Sequence, residues 1–554
     1  MPLKNFSLLT FEDLILLRDD FVEPGTLAWL LRGYPAMLFP SWLFKGWKGE
    51  TKRGRDAWPA PMLMALLLLR HSEAGMTRAG ALRRAGKDAE WRAALRLPWR
   101  EEPPREKTLR EFEAFLKQPH PDMERPRIEL AFEHWTRLGI DAGVVGDAPV
   151  WVADSTPMWC FGAVLGTVRL LGDGLRSLGR RWARVRKEDS KTVALEWGEP
   201  LLLAKSTKGF FEGTDWADPA ARSDVLTTLV TSVNQATECV LASLDEVRQN
   251  KRKGLARRCR NLLRVINEDL EPTEDGGLRV AQRRSGERLI SYTDPEAQHF
   301  RKSKSKVCSG YKIHAFGDAV SGLILSLTVT PGAVHDGTQL VPLLVRAKDL
   351  HQDIDHVLAD AAYGGMNVRN EAMETAGVKV IAPPVGNTRK GKGPGKEDFD
   401  IDFDDMVATC PGGVVTSDWK WSKRGGDDVP MFVWAKGSDE SCTCRHECPV
   451  HKPRKLKSGR PGAPNRRLQL HVDEHGLRAV RAEWKKPEIR ALYRRRAEGE
   501  RLMREVTRRG ARKAGAWGLD NASLQAHAAA AVSNLLVLAK HVAKQEILHR
   551  KHAV

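Results

Sequence analysis

No stretch of this sequence stays apolar long enough to read as a bilayer span. The longest run, from Met62 to Leu69, falls far short of the roughly 20 residues a spanning helix needs, so no membrane partner is expected. Cysteine is scarce, eight residues in 554, which excludes a disulfide scaffold. No leader-like segment opens the chain, and a reducing cytoplasm is the expected compartment. Sustained heptads are missing as well, so no coiled coil declares an oligomer. Acidic residues are the minority charge: 71 Asp and Glu against 89 Lys and Arg leave a net charge of +18. That excess favours a polyanionic partner, most cheaply nucleic acid, because each phosphate contact adds to a salt-dependent affinity.

What is present divides into regions, since a chain of this length exceeds one ordinary core. Residues 1–140 carry apolar residues at helical spacing, and Thr108 with Glu111 has the form of a capping box. Arg78, Arg83, Arg84, Lys87, Arg92 and Arg96 cluster there. A helix-turn-helix-like DNA-binding region and a helical domain with a solvated basic face both fit. Residues 161–289 read as a largely helical insertion, in which Arg252, Lys253, Arg257, Arg258 and Arg260 either line DNA or form a charged helix face. Arg301 to Lys306 is a basic loop that includes Lys302 and Lys304. Residues 386–486 form a second, basic insertion. It carries an alternating acidic segment, EDFDIDFDD, whose acids read as a solvated face, and Cys410, Cys442, Cys444 and Cys448. These cysteines could hold Zn²⁺, although their spacing is not the paired C-x-x-C form, and plain reduced thiols are the alternative. The following segment KPRKLKSGRPGAPNRR is expected to be a flexible nucleic-acid contact. Residues 487–554 read as closing helices, one from Pro487 to about Arg509 and one over 524–542 capped by Asn521.

Residues 145–160 and 290–385 hold the chemistry. YKIHAFGD and GLILSLTVT, joined at Asp318-Ala-Val-Ser-Gly322, read as a β-hairpin, and strand-like and helical runs alternate after it, the pattern of a mixed α/β sheet. Two short apolar runs end in a carboxylate: VWVAD at Asp154 and HVLAD at Asp360. If the two strands are neighbours, the acids meet at one sheet edge. Clustered carboxylates raise each other's pKa unless a cation lies between them, and hard oxygen ligands suit Mg²⁺ or Mn²⁺. On the Pro487 helix, Tyr493, Arg496 and Glu500 fall on one face. That combination suits a further metal ligand beside a phosphate, and a surface Arg/Glu pair is the plain alternative.

Taken together, ADSTP at 153–157, DPEA at 294–297, GYKIH at 310–314, TPGAVHD at 330–336, ADAAYG at 359–364 and Tyr493 through Arg496 to Glu500 resemble the DDE transposases of bacterial insertion sequences. The group resembled is the one with a Y-x2-R-x3-E signature. The resemblance implies an RNase H-like α/β core with a helical N-terminal DNA-binding domain and insertions. It implies Asp154, Asp360 and Glu500 as catalytic metal ligands for two Mg²⁺ or Mn²⁺ ions, with DNA contacts from Tyr493 and Arg496; Arg504, Lys302, Lys304 and Lys312 are further expected DNA contacts. Expected partners are double-stranded DNA, as inverted-repeat ends and as target, and a second copy of the chain in a synaptic homodimer. The lysine frequent in this family seven residues beyond the glutamate is Thr507 here. A non-catalytic DNA-binding protein derived from such an enzyme is the alternative.

Overall fold

The computed structural model describes residues 21–47, 57–303, 305–384, 395–424, 426–435, 452–455, 461–465 and 467–552. Its first region packs short helices around α1 (Ala60–Ser72), whose unbroken leucines are buried on every side. The apparent helix over 78–97 is two, α2 (Arg78–Lys87) and α3 (Ala89–Leu95). Asp88 divides them, because its extended backbone and side chain cap the second helix through the Trp91 N–H at 3.1 Å. Helix α4 (Glu106–Lys117) starts at Arg105, after Pro103 and Pro104, so Thr108 lies inside the helix and no capping box forms. Helix α5 (Arg127–Asp141) then leads into the sheet.

The central sheet has six strands: β1 (Trp151–Trp159), β2 (Gln298–Arg301), β3 (Val307–Asp318), β4 (Ile324–Pro331), β5 (His356–Leu358) and β6 (Lys379–Ile381). Strand β3 is antiparallel to β1, to β2 and to β4, while β5 runs parallel to β1 and β6 parallel to β5. Asp318 closes the β3–β4 hairpin by accepting the N–H groups of Val150, Val320 and Ser321, and Gly322 supplies the positive φ of 83°.

Alternation along β1 sends Trp151 and Ala153 into the main core and Val150 and Val152 to the other face. On the first face, the closing helix α14 (Leu519–His552) packs on α1, α5 and β4. Buried Asn534 pins it there by bonding both the N–H and the carbonyl of Ile324. Asn521 lies within the first turn of this helix, donates to the Trp517 carbonyl, and is not its cap. By length and apolarity α14 would span a bilayer, but 78% of its most apolar window is buried inside the protein.

Between β1 and β2 the chain leaves the sheet to build α6 (Thr167–Arg186), α7 (Pro219–Ala242) and α8 (Gln249–Asp269) around a separate apolar core of Leu171, Leu175, Leu229, Val233 and Leu262, among others. After β6, a small β-rich region closes on Phe399, Phe432, Trp434 and Leu468. Its Ile401 is buried between the exposed Asp400 and Asp402, so the alternating acids form a solvated face. Segments 452–455 and 461–465 pair as an antiparallel hairpin where a flexible stretch was expected.

Candidate functional site

Strand register brings the two acids together, although β1 does not end at Asp154, where its apolar run ends, but continues through Pro157 to Trp159 against β3. Val152 pairs with Leu358 in the parallel β1–β5 ladder, and Asp154 and Asp360 each lie two residues further along, level with each other on the same face. Asp154 accepts the Ser155 N–H at 2.8 Å, and Asp360 accepts the Ala362 N–H at 2.9 Å as cap of a short turn. Burial pushes the Asp154 carboxyl up to about 6; the Ser155 N–H and Arg496 pull it down, and Asp360 and Asp336 push it further up.

Helices cover this face. Following α11 (Glu474–Trp484) and α12 (Pro487–Arg494), the chain tightens into a 3-10 turn over Arg495–Gly499 before α13 (Glu500–Val506), so the single helix expected from Pro487 to Arg509 is divided. The tighter turn seats Gly499 on Val152, where an added Cβ would lie 2.4 Å from a valine methyl. Arg496 thereby reaches Asp154, Nη1 to Oδ2 at 3.9 Å, with both side chains about a quarter exposed (24% and 22%). Tyr493 packs edge-on against Trp484 and lies under the Arg496 guanidinium. Glu500 follows directly, exposed and with no ion pair among the described residues. Among the described residues no three His, Cys, Asp or Glu side chains converge closely enough to hold a metal. The structure therefore gathers Asp154 and Asp360, and leaves Glu500 one turn beyond Arg496 with its carboxylate in solvent.

A third acid beside the pair is Asp336, which the charge and spacing of the sequence did not single out although it ends the TPGAVHD stretch. It accepts the Ser155 hydroxyl at 2.7 Å and the Lys312 ammonium at 2.6 Å. Those bonds hold its carboxyl below the usual range despite burial. Lys312 is only 14% exposed and also donates to the Val334 carbonyl, so its charge is spent inside the fold. Buried His314, opposite Ser155 in the β1–β3 ladder, bonds Thr330. Burial holds it at about 4, a neutral ring at ordinary pH.

Of the other cations, Lys302 and Arg504 are exposed, and Lys304 lies outside the described residues. Thr507 is buried and bonds the Met503 carbonyl, and the neighbouring Arg508 pairs with Glu505. In the N-terminal region Arg78 pairs with Glu113, Arg84 with Glu73 and Asp88, and Arg92, 2% exposed, donates to backbone carbonyls. Only Arg83 and Lys87 of that cluster face solvent without such a partner among the described residues. Cys410 accepts the Val414 N–H, and Cys442, Cys444 and Cys448 fall outside the described residues.

Residues 286–535, a little under half of the chain, match the family model of the transposase DDE domain. The matched segment takes in Asp336, Asp360 and Glu500 and starts after Asp154. No curated protein matches the chain. No solved structure matches it either.

Proposed function

We propose that this chain is a DNA transposase that binds terminal inverted repeats, cleaves DNA by metal-dependent phosphodiester hydrolysis and joins the freed 3′ ends to target DNA. The observation that carries the reading is the register that sets Asp154 level with Asp360 beneath Arg496. The mixed sheet, with one acid mid-strand and the other just past the end of the parallel neighbour, supports an RNase H-like core.

The donor set fits a hard divalent cation. Asp154, Asp360 and Asp336 offer oxygen alone, and burial leaves Asp154 without the solvation its charge requires. Asp154, Asp360 and, after its side chain turns inward, Glu500 would hold Mg²⁺ or Mn²⁺. When bound, such ions lower the pKa of an attacking water or 3′-hydroxyl and neutralise the leaving oxygen. The protein's own part is geometric and electrostatic. Strand pairing fixes two carboxylates at one height, and Ser155 and Ala362 N–H groups hold their orientation. Arg496, beside Asp154, would be placed to take a phosphate oxygen, and Tyr493 supports its guanidinium. Lys302 and Arg504 lie outside this contact and serve as backbone cations. A cytoplasmic protein acting on the nucleoid as a homodimer goes with this reading.

Incubating the protein with a labelled duplex carrying the element's terminal repeat, with Mg²⁺ or EDTA, tests it beside the Glu500→Gln variant. Cuts at the repeat boundary that need metal and disappear in the variant are expected. Tight binding without cuts would instead identify a non-catalytic DNA-binding descendant of a transposase.

A further inference from the structure

The helical excursion between β1 and β2 carries an arginine-lined groove that the active-site geometry does not use. Helix α6 places Arg169, Arg176, Arg180 and Arg184 at intervals of seven, four and four residues, along one side of the helix. At 1.5 Å per residue the row extends about 22 Å. Beside it lies a cavity of about 460 Å³, whose opposite walls are residues 206–208, including Lys208, and 291–293. The cavity sits where the excursion joins the sheet, since Ala163 and Leu165 also line it, shortly after the end of β1.

Charge in this groove is unbalanced. Asp173 is the acid that lines it, and that carboxylate is already engaged by the Thr207 hydroxyl at 2.7 Å and by Arg169 and Arg176 at 3.7 Å each. Arg176 donates to the Ala204 and Lys205 carbonyls and so ties the wall together. Arg180 and Arg184 are exposed and have no carboxylate partner among the described residues. Helix α8 adds to the excess from the side: Arg258 approaches Ser177 at 3.4 Å, and Arg181, Arg184 and Arg257 crowd around it. Burial, then these neighbouring charges, hold its guanidinium below the usual arginine range. The Arg181 Nε and the Tyr292 hydroxyl are buried with no hydrogen-bond partner among the described residues.

A solvated helix face would space its cations among acids. Here Arg181, Arg184, Arg257 and Arg258 lie near enough to act on one another, and none of them has a carboxylate partner among the described residues, a repulsion that a polyanion relieves. We propose that this groove is a track for the phosphodiester backbone of DNA, held outside the carboxylate site; the proposal rests on the transposase reading for its ligand. A row about 22 Å long matches about six steps of one strand at roughly 3.4 Å each. The groove reads no sequence, because guanidinium and ammonium groups aimed at phosphates position a duplex without specifying it.

The test is fluorescence anisotropy with labelled duplexes of about 30 base pairs, one carrying the terminal repeat and one scrambled, from roughly 50 to 200 mM salt. Arg180→Ala with Arg184→Ala should weaken binding of both duplexes about tenfold and lower the salt slope by about 1.8, two contacts at about 0.9 each. Lys208→Glu, on the other wall, should weaken both duplexes in the same sequence-independent way, and Arg180→Lys with Arg184→Lys should keep the wild-type slope. Unchanged affinity and slope in both the double-alanine and Lys208→Glu proteins overturns the groove and leaves the cleavage reading standing. Groove variants that weaken binding while Asp360→Ala protein still cuts DNA would uphold the groove and sink the assigned catalytic site. Wild-type protein that binds neither duplex overturns both. A melting shift by pyrophosphate that the double-alanine protein loses, with DNA binding unaffected, would assign the groove to free phosphates and reject the DNA track.

Discussion

Asp154 shows what a poised acid costs the fold. Its carboxyl titrates near 6 in the native protein and near 3.9 in an unfolded chain. As pH rises from about 4 to about 6, the unfolded chain releases a proton that the native state keeps, so the native state loses stability across that window and the full penalty persists above it. Asp154→Asn should therefore stabilise the metal-free protein by about 2 kcal/mol at pH 7.5 and by almost nothing at pH 4. Urea unfolding at the two pH values measures this, and equal effects at both would remove the burial argument. Single residues are also where the sequence was hardest to read. Lys312 and Asp336 each look like surface charges in a linear chain, yet the fold turns them on each other at 2.6 Å. Arg92 belongs to a basic cluster by position but donates inward to backbone carbonyls. A count of charges fixes the net field; which of them still face a partner depends on packing that no local pattern encodes.

Elements were more legible, for a physical reason. VWVAD and HVLAD are short apolar runs that end in a residue water prefers, and the hairpin between them carries its own turn chemistry at Asp318 and Gly322. The hairpin and the HVLAD strand survive folding as read, whereas β1 runs past Asp154 and Pro157 to Trp159 because the long β3 strand pairs with it along that whole length. Register between distant strands is a tertiary property, so the sequence could state only the condition under which the two acids meet. The segment after Pro487 went furthest from its local pattern, because contact with β1 tightened Arg495–Gly499 into a 3-10 turn that helical periodicity does not encode. Gly499 is the hinge of that arrangement. Gly499→Ala should push α13 off Val152, cost about 1–3 kcal/mol and lower cleavage at least tenfold by displacing Glu500. A cleavage assay beside a denaturant melt checks it, and wild-type rates would show that the contact does not position the helix.

At the scale of the molecule, the helical excursion has a core distinct from the one under the sheet. Heat should therefore unfold the protein in more than one calorimetric transition. Leu229→Ala, a cavity in the excursion core, should cost about 2–5 kcal/mol and move one transition while leaving the other in place. A single transition that shifts as a whole would mean that the two cores melt together. The excursion also returns close to where it departs: Trp159 and Gln298 pair with the same residue, Gly310, from opposite sides, which sets its two ends about 10 Å apart across two strand spacings. A chain in search of β1–β3 pairing would otherwise have to close a loop of well over a hundred residues, and the entropy of that closure falls on the slow step of folding. Helices that pack on one another around their own core, the first against the last, can collapse first and draw those ends together. The excursion then acts as a splint, and the pairing that sets Asp154 level with Asp360 becomes a search between segments already held side by side.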